Sequence, residues 1–395
     1  KVFSMKTLLL IALFLSPIFA TTLKTLIQNT LQSHPSIEVI EAKITHNKEN
    51  FSLSQNFADP QLYYFQNTIN DNQAMRQKSL LFKQTLPYFP KQDIALEGVQ
   101  ANEDILNTKL KQQQLTLITA LKKTAYSLWK LEHLLMIIDE YQSLTQQNID
   151  LHTTYTSTSD NQHMGIMSAE LLLSNLHIQK SQLKAEIRSG YAQLSYLSNS
   201  NINTLALELS MPALPDLSTL RQSLAKNLSL ELKNKELAKQ DIQTQQQSLE
   251  QYPDIHLSLG YSHRENFDDF ATFGIGVSLP IYGSQNSKIE RSKKAYLIQK
   301  HQQKEISLNL EAKLIASYAK LQFAHESYTI IHDNALPQLN HMFELSTSNV
   351  SVGADLFKQT DILIQKLHLQ QKSITAIANF HSELANIKKL QGSYQ

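Results

Sequence analysis

A chain of 395 residues with 42% hydrophobic and 18% charged side chains and a formal net charge of +1 carries no nucleic-acid footprint and no acidic tail. Zero cysteines exclude disulfides, thiolate chemistry, cysteine-ligated zinc and a lipidated N-terminal cysteine. At about 150 residues per domain the length would divide in two or three, but an internal duplication argues against independent domains.

Residues 1–20 read as a secretory signal peptide: Lys6 is basic, Leu8 to Leu15 is apolar, Pro17 breaks the run and Ala20 offers a small cleavage residue. Met5 is read as the start and Thr21 as the mature terminus. The apolar run is well short of the roughly 20 residues of a spanning helix. No later segment is long and apolar enough either, so any membrane crossing is expected to use strands.

Pro253 to Gly283 has the clearest strand signal. Ile255, Leu257, Leu259 and Tyr261 alternate with polar or small residues, and after HRENFDD the positions Phe273, Ile275, Val277 and Leu279 alternate with Thr272, Gly274, Gly276 and Ser278. The two strands predict a hairpin (residues 253–283), each strand roughly the ten residues needed to cross a bilayer when tilted. An ordinary sandwich hairpin has the same alternation. The rest of the chain reads as helix, leaving no second sheet to cover the apolar face, so that face is expected to meet membrane lipid.

One offset carries Pro60 to Pro253, Pro87 to Pro280, and Ser36-Ile37-Glu38 to Ser229-Leu230-Glu231. The chain is therefore read as two copies of one unit, residues 21–210 and 211–395, with a first hairpin over 60–87. Its alternation is weaker: Leu62 and Tyr64, then Leu80, Phe82 and Leu86. Four strands leave two unpaired edges, and transmembrane barrels start at about eight strands, so several protomers are expected to share one barrel.

Each hairpin precedes a long stretch almost free of helix breakers. Gly98 is the only glycine from Gln92 to Tyr155, and Pro337 the only proline from Ser284 to Asn349. With return helices over Ile166 to Ser198 and Ala354 to Leu390, these stretches predict two long antiparallel helical hairpins, 91–199 and 284–391, whose rods reach about 90 to 100 Å. Turns are expected over Ser157 to Gly165 and Asn349 to Gly353, and shorter helices over Ser36 to Phe57 and Leu217 to Leu249.

PDIHLSLGY, FGIGVSLPIYGSQ and NSKIERSKKAY, followed by ALPQLNHMFELSTSNVSVGADLFKQTDIL, together resemble the TolC-type outer-membrane efflux proteins over nearly all of the mature chain. TSDNQHMGIMSAELLLSNL resembles the family more loosely. The resemblance implies a membrane β-barrel joined to a long α-helical barrel: four strands per protomer in a homotrimer's shared barrel, and the helical hairpins as a periplasmic tunnel. It also implies the outer membrane of a Gram-negative bacterium, a periplasmic adaptor and an inner-membrane transporter, usually of the resistance-nodulation-division type.

By the same resemblance Gly165, Val352 and Gly353 fall at the adaptor-contacting tip, and Asp355 and Asp361 become candidates for a lumen constriction. A solvated helix face is the plainer reading of both acids. His163, Met164 and Met167, and His341 with Met342, are soft donors without a ligand spacing that includes a carboxylate, so no metal site is expected. No phosphate loop, G-x-S-x-G or H-E-x-x-H is present, so neither enzyme activity nor a cofactor is expected. A periplasmic coiled-coil adaptor and the exit duct of a type I secretion system remain alternatives.

Overall fold

A computed structural model describes residues 21–67, 76–155, 160–280, 283–348 and 356–394. The signal peptide and the positions Val352, Gly353 and Asp355 lie outside the described residues. In chain order the elements are β1 (Thr21–Thr22), α1 (Leu23–Ser33), α2 (Pro35–Gln55), β2 (Gln61–Gln66), β3 (Gln77–Leu86), α3 (Phe89–Tyr155) and α4 (Asp160–Ser198). There follow β4 (Leu205–Ala206), α5 (Leu217–Ser223), a 3-10 turn (Leu224–Lys226), α6 (Leu228–Leu249), β5 (Ile255–Arg264) and β6 (Phe270–Val277). The chain closes with α7 (Ser284–Ile330), a π turn (Ile331–Ala335), α8 (Leu336–Ser348) and α9 (Leu356–Leu390).

Local chemistry sets most boundaries. Thr22 caps α1 by accepting from the Thr25 amide at 3.3 Å, and α1 stops at His34, held extended because Pro35 follows. Pro90 sits in the first turn of α3, where a missing amide costs nothing. Asn227 caps α6, its side-chain oxygen accepting from Ser229 and Leu230 at 2.8 and 3.1 Å. The rod expected from Ser284 to Asn349 is interrupted instead by the π turn. Pro337 has no amide to offer one turn back, and the Leu336 amide reaches the Ile331 carbonyl, five residues earlier.

Three expectations shift. α4 begins at Asp160, which makes Gly165 a buried helical residue rather than a turn residue. β6 ends at Val277, so Leu279 lies beyond the strand, just before Pro280. The parallel pairing of β1 with β4, Thr21 opposite Leu205, is an addition that two-residue strands do not announce.

The chain forms two compact units that cut across its sequence halves. One comprises the described residues within 21–34, Gln114–Gln222 and 313–394, the other those within Pro35–Gln113 and Ser223–Ala312. The first has an apolar interior. Leu194, fully buried, packs with Leu26, Leu121, Leu128, Leu197 and Ile202, and a second cluster joins Ile138 and Tyr141 to Leu172, Leu176, Leu363 and Leu367. Gly190 allows α3 and α4 to approach closely: a Cβ there would lie 2.6 Å from a Leu128 methyl.

The second unit holds the four-stranded antiparallel sheet, ordered β2-β3-β5-β6. β3 and β5 pair over their full lengths, Leu86 opposite Ile255 to Gln77 opposite Arg264, so the hairpins from the two halves form one surface.

Candidate functional site

The sheet register sorts its side chains onto two faces. On one, Leu62, Phe82, Leu259 and Phe273 are successive cross-strand neighbours, a row spanning all four strands. The adjoining rows are Tyr64, Leu80, Tyr261 and Ala271 on one side, and Gln84, Leu257 and Ile275 on the other, followed by Leu86, Ile255 and Val277. A polar row of Gln66, Lys78 and His263 ends the band. From Leu80 to Leu86 the band runs about 20 Å along the strand. Phe273 and Ile275 are each 68% exposed and Leu62 is 70% exposed. Leu279, beyond the strand, is also exposed, whereas Leu257 is half-buried.

The other face is small and polar toward β5 and β6. Ser79 and Ser262 share a hydrogen bond at 2.8 Å, and Thr85 meets His256 Nδ1 at 3.0 Å. Gly274 lies opposite Ser258, whose hydroxyl would be 2.5 Å from any Cβ there. Tyr63 and Phe65 also point to this face, their rings stacked at 5.9 Å.

Both ends of the sheet are fastened. At one, Lys91 pairs with Asp254 at 2.8 Å, the Tyr88 amide donates to the same carboxylate at 3.1 Å, and the rings of Tyr88 and Tyr252 stack at 4.8 Å. The exposed Phe57 and Phe89 lie on the flanking segments, giving an aromatic set of the kind that marks a membrane interface. At the other end, the Tyr261 hydroxyl donates to Asp269 at 2.5 Å, and the Arg264 guanidinium covers Phe267 and Phe270 at 5.4 and 5.0 Å.

Asp361 is exposed on the second turn of α9 and accepts from Gln365 at 2.8 Å. His163, Met164 and Met167 are exposed on α4. Among the described residues no three His, Asp or Glu side chains converge on a metal-sized space, and no helix is long and apolar enough to cross a membrane.

A four-stranded antiparallel sheet with a lipid-compatible face, set among helices of this length, is the fold of outer-membrane channels. Over 94% of the chain the structure resembles the transmembrane channel CusC, covering 92% of that chain with a TM-score of 0.79 at 14% identity. It likewise resembles the open state of the MtrE outer membrane channel of Neisseria gonorrhoeae (94% and 89% covered, TM-score 0.78, 13% identity). The outer membrane protein VceC of Vibrio cholerae is similar to the same degree (94% and 97% covered, TM-score 0.77, 13% identity). No family model and no curated protein sequence matches the chain. The TolC-type resemblance read from the motifs therefore holds as a likeness of fold.

Proposed function

We propose that this protein is the outer-membrane exit duct of a tripartite efflux pump, passively conducting solutes such as drugs or metal ions from the periplasm outward. The observation that carries this reading is the apolar band crossing all four strands, backed by an opposite face that mixes small and polar residues with Tyr63, Phe65, Leu81 and Phe270. A soluble sheet buries such a band, whereas a transmembrane barrel turns it to lipid and water to the other side. The likeness of fold to outer-membrane channels supports the same reading.

Strands β2 and β6 are the outer strands of the sheet, and inside hydrocarbon their free backbone groups need partners. Three copies joined edge to edge make twelve strands, above the roughly eight of the smallest barrels. The proposal is thus a homotrimer of duplicated chains, with a periplasmic adaptor and an inner-membrane transporter as partners. Val352 and Gly353, with the α4 segment around the buried Gly165, are assigned to the adaptor contact, Asp355 and Asp361 to an acidic constriction.

The test is extraction from outer membranes in mild detergent, followed by gels of heated and unheated protein with a size measurement. The expected result is a heat-dissociable trimer. F273R/I275R, which sets two arginines in the band at about 2–4 kcal/mol each near the bilayer midplane, should abolish assembly. A monomer soluble without detergent overturns the proposal.

A further inference from the structure

The polar row that ends the apolar band lies at the end of the sheet where β2 gives way to β3 and β5 to β6. Gln66, Lys78 and His263 are successive cross-strand neighbours there, and Asp269, just ahead of β6, meets His263 Nδ1 at 2.9 Å. Side chains paired in this way share one face and stand about 5 Å apart at Cβ.

The adjoining row sets the depth. Tyr64 and Tyr261 flank Leu80, and all three are exposed on the band. Each tyrosine turns its hydroxyl to the polar row, Tyr64 donating to Gln66 Oε1 at 3.1 Å and Tyr261 to Asp269. A ring on the apolar band with its hydroxyl among polar groups marks the level where hydrocarbon gives way to headgroups. Lys78 stands one row beyond that level.

Its charge is left uncompensated by the protein. Lys78 is exposed, and among the described residues no ion pair reaches it. Asp269, two strands and so about 10 Å away, is occupied by the Tyr261 hydroxyl, His263 Nδ1 and the Arg264 amide at 3.1 Å. Arg76, farther along the face of Lys78, is paired with Glu265 at 3.4 Å. The opposite end of the sheet differs: Lys91 is neutralised by Asp254 at 2.8 Å and Glu250 at 3.9 Å.

We propose that Lys78, with His263 beside it, binds the phosphoryl group of a lipid headgroup at the hairpin end of the band. The inference rests on the reading of the band as lipid-facing. A headgroup phosphate supplies the counter-charge that the row lacks, and an ammonium on a flexible stem meets phosphoryl oxygens as a point charge through charge-assisted hydrogen bonds. The acyl chains of the same molecule cover Leu80, Phe82 and Tyr261, all exposed on the band. A dissolved phosphate gains the first contact without the second, which commits the site to a lipid.

The experiment titrates the full chain, purified in dodecyl maltoside, with micelles doped with phosphatidic acid or with diacylglycerol of the same acyl chains, and counts retained lipid by native mass spectrometry. Wild type is expected to retain phosphatidic acid and not diacylglycerol. K78Q should bind phosphatidic acid at least about tenfold more weakly, for loss of a charge-assisted contact, and H263Q should weaken binding by a smaller factor. K83Q removes a lysine from the opposite face of the same strand, across from Ser258, and should bind as wild type does.

Equal affinity in wild type, K78Q and H263Q overturns the proposal. Equal weakening in K83Q, equal retention of diacylglycerol by wild type, or displacement of phosphatidic acid by equimolar inorganic phosphate overturns it too, and the last two need no variant to fold. Gels of heated and unheated samples run alongside. A heat-dissociable trimer in any of these cases leaves the exit-duct reading standing, whereas a monomer soluble without detergent removes both.

Discussion

The helices of the two compact units are joined by different chemistry. In the unit that contains α4 and α9, leucines, isoleucines and Phe380 fill the interior. In the unit that contains the sheet, the buried apolar side chains among the described residues are only Ile37, Ile94, Ile105, Leu228, Ile289 and Leu310. Its helices are laced by amides and hydroxyls. The buried Asn47 donates to the Val99 carbonyl at 3.1 Å and accepts from Asn102 at 2.6 Å, and Asn102 accepts in turn from Lys239 at 2.7 Å. Gln246 reaches the Ile94 carbonyl at 3.1 Å, Gln112 reaches Ser229 at 2.9 Å, and Thr244 shares a hydrogen bond with Ser292 at 2.9 Å.

Apolar burial is proportional to area and indifferent to register, whereas a hydrogen-bonded ladder is satisfied in one register only. The sheet unit turns its large apolar side chains outward on the strands, and its helices fix their alignment with directional bonds instead.

The contrast breaks most sharply at the apolar interior. Leu194→Ala removes a side chain packed on five buried neighbours and should cost about 2–5 kcal/mol. Its effect should appear in hydrogen exchange as lost protection in α4 with protection in α6 retained. Equal loss in both helices would show that the two units unfold together.

The reciprocal change is Asn47→Ala, which removes a buried side chain and leaves the half-buried Asn102 amide without that acceptor, and should cost about 1 kcal/mol. Protection should fall in α2 and α6 while α4 is unchanged. Asn47→Leu should fail to restore stability, because an apolar group leaves the ladder unsatisfied; full restoration would show that area rather than direction holds these helices.

The smallest expected effect is at Asp216, ahead of α5 in the apolar unit. The Ser218 hydroxyl, then the Thr219 amide at 3.0 Å and the Thr219 hydroxyl, hold its pKa down to about 2. The depressed value means that its contribution is complete above the ordinary carboxylate range near pH 4 and is lost as pH falls through about 2. Asp216→Asn should flatten the fall in thermal midpoint between pH 4 and 2 seen in the parent. An unchanged slope would remove Asp216 from the acid response.

Much of this arrangement was legible in the sequence. Long runs almost free of glycine and proline announced α3 and α7, and strict alternation announced β5 and β6. The first hairpin was harder to read because Tyr63 and Phe65 stack on the face opposite Leu62 and Tyr64, so QLYYF reads as an apolar run rather than an alternation. The position of Gly165 was misread because a glycine near a chain reversal resembles a turn residue, whereas a buried helical site also favours a missing side chain.

The π turn before Pro337 acts on phase. One heptad separates the buried Ala324 from the buried Ile331, but one residue more separates Ile331 from the buried Leu339. An α-helix advances about 100° per residue, so without the wider turn that extra position would swing the inward stripe of α8 away from α9. The π turn absorbs it, as though a single residue had been inserted and its rotation taken up locally. α7 and α8 thus keep one continuous inward seam, assembled from two lengths of helix with different clocks.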